Sequence, residues 1–145
     1  MSKALVVCAT RTGETQKIGE LIAEGLRMAG MEAVVKNVND IKTENDLKGY
    51  AALVLGSATY HGKMMQNMEK VLFLGEKAGL EGIVGGAFGA FGWSGEAPDR
   101  IFATMAHIFK MKMVNSALRL KSSSLGGGIG MAQNYGREIA AQVNQ

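Results

Sequence analysis

Apolar residues fall into two kinds of run that alternate along the chain. Residues 4–8 (ALVVC), with two β-branched valines, and 51–55 (AALVL) are short continuous apolar runs, which predicts strands buried on both faces. Looser runs over 31–38, 82–88 and 112–120 predict three further strands. Between them the apolar positions take helical spacing. The first helix carries Ile18, Leu21, Ile22, Gly25, Leu26 and Ala29 and is ended by Gly30. The next carries Met64, Met68, Val71, Leu72 and Gly75, and a short polar helix over 45–48 is expected before it. Ile101, Phe102, Met105, Ile108 and Phe109 mark a later helix, with Pro98 near its first turn. A last helix spans 129–143.

Strands and helices in strict alternation predict an α/β fold, a parallel sheet joined by helical crossovers with helices on both faces. In such sheets the ligand crevice lies at the carboxyl ends of the strands. Three polar or glycine-rich loops fall there: 10–15, 57–62 and 89–95.

Composition narrows the class. A chain of 145 residues, 47% of them hydrophobic, fits one domain over 1–145. No apolar run approaches the roughly 18 residues of a membrane helix, and residues 4–8 are too short for a signal core. One cysteine and two histidines provide neither a disulfide nor a Cys/His zinc site. The expectation is a cytoplasmic protein with no membrane insertion. The net charge of +3 comes from dispersed Lys and Arg with no interleaved aromatics, so no nucleic-acid partner is expected.

The segment Thr10-Arg11-Thr12-Gly13-Glu14-Thr15 joins a strand to a helix. Three hydroxyls, a glycine and the unsatisfied amides of a helix start can converge on a phosphate. The plainer alternative is a capped turn, with Thr12 and Thr15 bonding to the helix terminus. Other phosphate-handling loops fail on spacing: neither G-x-x-x-x-G-K-[ST] nor G-x-G-x-x-G follows the first strand. A cysteine phosphatase needs arginine six places after its nucleophile, where this chain has Glu14, so Cys8 reads as core. A phospho-receiver needs aspartates where Ala9, Thr10 and Ser57 stand.

With these residues the chain resembles a flavodoxin of the short-chain class. Residues 10–15 match the family's T-x-T-G-x-T loop, and Gly56-Ser57-Ala58-Thr59-Tyr60 matches its second loop. The stretch from Ala87 to Glu96 is similar to the flavodoxin module of flavodiiron proteins. The resemblance implies a flavodoxin-like three-layer sandwich, its five-stranded parallel sheet in the order 2-1-3-4-5. It implies FMN as cofactor and electron transfer as function. The protein would shuttle single electrons between redox partners through the quinone, semiquinone and hydroquinone states of the flavin.

The resemblance also assigns roles. Thr10, Arg11, Thr12, Gly13, Glu14 and Thr15 would hold the phosphate, and Ser57, Ala58 and Thr59 the ribityl chain. Ala90, Phe91, Gly92 and Gly95 would offer backbone groups to the polar edge of the ring, with Tyr60 and Trp93 flanking it. A peptide near His61-Gly62 would reorient on reduction, while His61 is either a flavin contact or a plain loop residue. No nucleophile–base pair is evident, in keeping with a carrier. An FMN-dependent NAD(P)H:quinone or flavin reductase of the same fold is the alternative.

The basic charge departs from the acidic habit of the family. It implies a less negative second reduction potential and redox partners with acidic docking surfaces. Met64, Met65 and Met68 read as core or as an adaptable docking surface, and 122–128 as a flexible loop.

Overall fold

The computed structural model describes residues 2–10, 13–60, 63–90, 96–121 and 127–144. Its main sheet contains β1 (Lys3–Ala9), β2 (Glu32–Asn37), β3 (Ala52–Ser57) and β6 (Val84–Ala90). Between β3 and β6 lies a small antiparallel hairpin, β4 (Thr59–Tyr60) and β5 (Lys63–Met64). The main-sheet order is β2-β1-β3-β6, and the place beyond β6 is shared by β7 (Lys112–Met113) and β8 (Leu118–Leu120). All main-sheet pairings are parallel, so the expected 2-1-3-4-5 order holds with its last position divided.

The continuous apolar runs follow from burial on two sides. Ala4, Val6 and Cys8 of β1 face a core built with α1 (Glu14–Met28) and α4 (Gly128–Val143). Leu5, Val7 and Ala9 face the opposite core, with α2 (Gln66–Lys77) and α3 (Glu96–Ala103). No helix among the described residues is long and apolar enough to cross a membrane.

Five expectations change. The single strand expected over 112–120 is broken, because 114–117 leave the ladder with Asn115 at φ +56°. Asn is among the few non-glycine residues that adopt this left-handed conformation, and its side chain donates to the Glu138 carboxylate at 2.9 Å. Residues expected as loop form the β4–β5 hairpin, so Met64 belongs to β5 and α2 begins at Gln66. The strand expected over 82–88 runs over Val84–Ala90, taking Gly89 and Ala90 from the loop.

The fourth change concerns Ile108, expected on the buried face but 56% exposed. A π-turn over Thr104–Ile108 adds a residue to the helical repeat and passes the buried place to Phe109. Ala29, at the end of the first helical stripe, is likewise exposed. The short helix near 45–48 is a single 3₁₀ turn, Glu44–Leu47, which buries Leu47. Met68 lies in the core, with Met64 and Met65 half-buried against it.

Candidate cofactor site

Parallel strands end on one edge, and β1, β3 and β6 are neighbours in register: Ala9 stands beside Ser57, and Gly56 beside Phe88. The chain leaving each strand therefore opens onto a common cleft. The β1 exit is shaped by Thr10, whose Oγ1 accepts a hydrogen bond from the Gly13 N–H at 2.9 Å. Gly13 caps α1 in the left-handed region, at φ +91° and ψ −8°, where a Cβ is disfavoured. This turn folds the chain from strand to helix and aims the first amides of α1 at the cleft.

Thr15 does not cap the helix. Its side chain is 1% exposed, and its Oγ1 is buried with no hydrogen-bond partner. The capped-turn reading of Thr15 is thereby corrected. An orphaned buried hydroxyl costs about 1–3 kcal/mol, so this one calls for a partner. An anion at the α1 terminus would accept from this hydroxyl and from the helix amides, in the favourable field of the helix dipole. The residues present therefore fit a phosphate. Glu14 is half-buried in the same first turn, while Arg11 and Thr12 lie outside the described residues.

At the β3 exit, Ser57 is fully buried and its hydroxyl is engaged internally. It donates to the Ala58 carbonyl at 2.9 Å and accepts from the Met65 N–H at 3.0 Å. Ser57 thus ties the loop to the start of α2, while Ala58 and Thr59 are half-buried. Thr59 Oγ1 accepts from the Ala97 N–H at 3.2 Å, which fastens the hairpin to the first turn of α3. This bracing role was not legible in the sequence, because Ala97 is 38 residues distant.

The β6 exit is packed closely against β3. A Cβ on Gly89 would meet the Ser57 carbonyl oxygen at 2.3 Å and Pro98 Cγ at 2.7 Å. Only glycine permits this approach of two backbones beside the cleft. Gly89 went unnoticed as a site-shaping residue for that reason: the contact exists only in three dimensions. Ala90 ends β6, and the backbone of Tyr60 ends β4. His61, Gly62, Phe91, Gly92, Trp93 and Gly95 lie outside the described residues, as do residues 122–126 of the serine-rich loop.

Cys8 and Tyr135 lie in the core on the α1/α4 side and belong to the framework. Burial pushes the Cys8 thiol from 9.0 up to about 12, with Glu20 adding to the rise. Burial also pushes Tyr135 up to about 12, opposed by the Ala87 N–H that donates to its hydroxyl at 3.1 Å and aided by Glu138. Among the described residues no Cys, His, Asp and Glu group could hold a metal ion.

The family model named Flavodoxin matches residues 6–138. A flavodoxin of Aquifex aeolicus is 37% identical over 100 residues, covering 66% of this chain and 54% of its own. An NAD(P)H dehydrogenase (quinone) of Gluconacetobacter diazotrophicus is 28% identical over 142 residues, covering 81% of this chain and 71% of its own. The chain therefore spans about half the length of the Aquifex relative. Among solved structures, a flavodoxin from the domain Archaea superposes with a TM-score of 0.92 at 30% identity, covering 99% of both chains. The flavodiiron protein from Giardia intestinalis shares the fold, with a TM-score of 0.90 at 22% identity over 99% of this chain and 36% of its own.

Proposed function

Because the chain belongs to the flavodoxin family, whose members bind FMN, we propose that it holds FMN along the carboxyl edge of its sheet and carries single electrons between redox proteins. The buried, partnerless Thr15 hydroxyl at the start of α1 carries this reading. Bound FMN supplies the one-electron chemistry; the protein supplies binding, orientation and electrostatics.

The first-loop roles rest on the strand–helix turn, and those of the remaining residues on the family resemblance. Thr10 fixes the turn, and Gly13 opens the helix start. Thr15 and the first amides of α1 donate to the phosphate, with Arg11, Thr12 and Glu14 completing the loop. Ser57 braces the second loop from within, so Ala58 and Thr59 are left to line the ribityl chain. Ala90, Phe91, Gly92 and Gly95 present backbone groups to the polar edge of the ring. Tyr60 and Trp93 flank its faces, and the His61-Gly62 segment supplies the peptide that answers reduction. Exposed Lys63 and Lys121 stand beside the ends of β4 and β8, and with the net charge of +3 they support acidic docking surfaces on the redox partners. We assign the protein to the cytoplasm, as one domain over 1–145.

The quinone-dehydrogenase relatives favour a second reading, a reductase that oxidises NAD(P)H on the same flavin. Steady-state NAD(P)H oxidation with a quinone acceptor separates the two, since a carrier shows no turnover. The primary test is a fluorescence titration of apoprotein with FMN and, in parallel, riboflavin. Strong quenching of FMN with much weaker riboflavin binding is expected. Equal binding of the two would overturn the phosphate site, and no binding of either would overturn the function.

A further inference from the structure

The solvent face of α2 carries Gln66, Glu69, Lys70, Phe73, Glu76 and Lys77, all exposed. Phe73 sits at its centre, 59% exposed, with the Lys77 ammonium 4.6 Å from its ring centroid. Beside it a groove of about 270 Å³ runs between α2 and the π-turn, floored by Leu72 and Phe109. The far wall is Ile108, which the π-turn turns outward and leaves 56% exposed. Two large apolar side chains thus flank one groove, on the helical layer away from the α1/α4 face.

The charges around this patch are segregated. At about 100° per residue, Glu69 and Glu76 fall about 40–60° to one side of Phe73, and Lys70 and Lys77 fall as far to the other. Glu69 and Glu76 line the groove, which fixes the acidic flank as the one facing Ile108. The described residues show one ion pair, Arg119–Asp99, and it involves none of these four charges.

We propose that this face is a self-complementary interface and that its occupant is a second copy of the chain. A two-fold axis along the helix direction sets the α2 helices face to face and parallel, and it rotates the acidic flank of each onto the basic flank of the other. Glu69 then stands level with Lys70 of the second copy, and Glu76 with Lys77 of the second copy. Phe73 packs on its equivalent at the axis, and Ile108 lies along the aliphatic stems of the incoming lysines. An axis across the helices would instead oppose acid to acid. Because both α2 helices start at the carboxyl edge, the two cofactor clefts open at the same end of the dimer.

Sedimentation equilibrium of the wild-type holoprotein over micromolar to millimolar concentrations tests the interface. We expect a dimer that weakens with salt, because its flank pairs are exposed. Phe73→Glu is expected to weaken association about tenfold or more. Glu69→Lys/Glu76→Lys and Lys70→Glu/Lys77→Glu are each expected to be monomeric alone and to associate when mixed. Far-UV circular dichroism and FMN quenching, unchanged in all variants, establish that the fold and the separate cofactor site are intact. A wild-type monomer throughout the range overturns the proposal. So does a dimer indifferent to Phe73→Glu, or one in which the two charge variants do not recognise each other.

Discussion

Thr15→Val separates a ligand-binding hydroxyl from a structural one, because the two roles predict opposite signs. The substitution exchanges hydroxyl for methyl at nearly constant shape and with little change in helix propensity. Thr15 Oγ1 is buried without a partner, so its removal relieves the apoprotein of about 1–3 kcal/mol. That raises the apoprotein melting temperature by a few degrees per kcal/mol in a domain of this size. In the complex the same hydroxyl donates to a charged phosphate, a bond worth about 1.5–3 kcal/mol. Relief of the apoprotein and loss of this bond both weaken binding, together by about 2.5–6 kcal/mol, which raises the FMN dissociation constant by about two to four orders of magnitude. Riboflavin, lacking the phosphate, binds the variant and the wild type alike. The assays are thermal unfolding of the apoprotein and fluorescence titration with both flavins. A variant that is less stable as apoprotein, or that loses FMN and riboflavin equally, refutes the assignment.

Other consequences follow from packing and burial. Gly89→Ala forces a methyl against the Ser57 carbonyl and Pro98, and is expected to destabilise the fold by about 1–3 kcal/mol; an unchanged urea midpoint would contradict the contact. Folded Cys8 and Tyr135 hold their protons up to about 12, against 9.0 and 10.0 for the free side chains, so the unfolded chain releases protons first. Their stabilisation is complete below about pH 9 and is lost as pH rises toward 12, by about 1.4 kcal/mol per pH unit for each group while it titrates only in the unfolded state. Urea unfolding between pH 8 and 11 measures that slope, and Cys8→Ala is expected to flatten its lower part. A native thiol that reacts readily with a disulfide reagent at pH 8 would contradict the burial of Cys8.

The sequence by itself determined the sheet and the character of its loops. Residues 4–8 and 51–55 read as buried strands because both faces of β1 and β3 are covered, so nothing interrupts their apolar run. The strand order came with the family resemblance, carried by short loop motifs whose residues are contiguous. Thr10, Gly13 and Thr15 were legible as a candidate phosphate loop for the same reason: their chemistry is local to one strand–helix junction.

What only the tertiary structure decided depends on contacts between distant segments. The sequence shows Thr15 but not whether its hydroxyl is spent on a helix cap, and burial answers that. Ser57 was legible only as a candidate ligand contact, and its bond from the Met65 amide gives it a bracing role that no local pattern shows. Thr59 holds Ala97, and Gly89 admits the Ser57 carbonyl, across separations that no local pattern encodes. The π-turn that exposes Ile108 escaped a reading based on constant helical period, because one inserted residue shifts every later position around the helix. Local propensity and periodicity fix which elements form, while the packing of those elements fixes which polar groups remain available to a ligand.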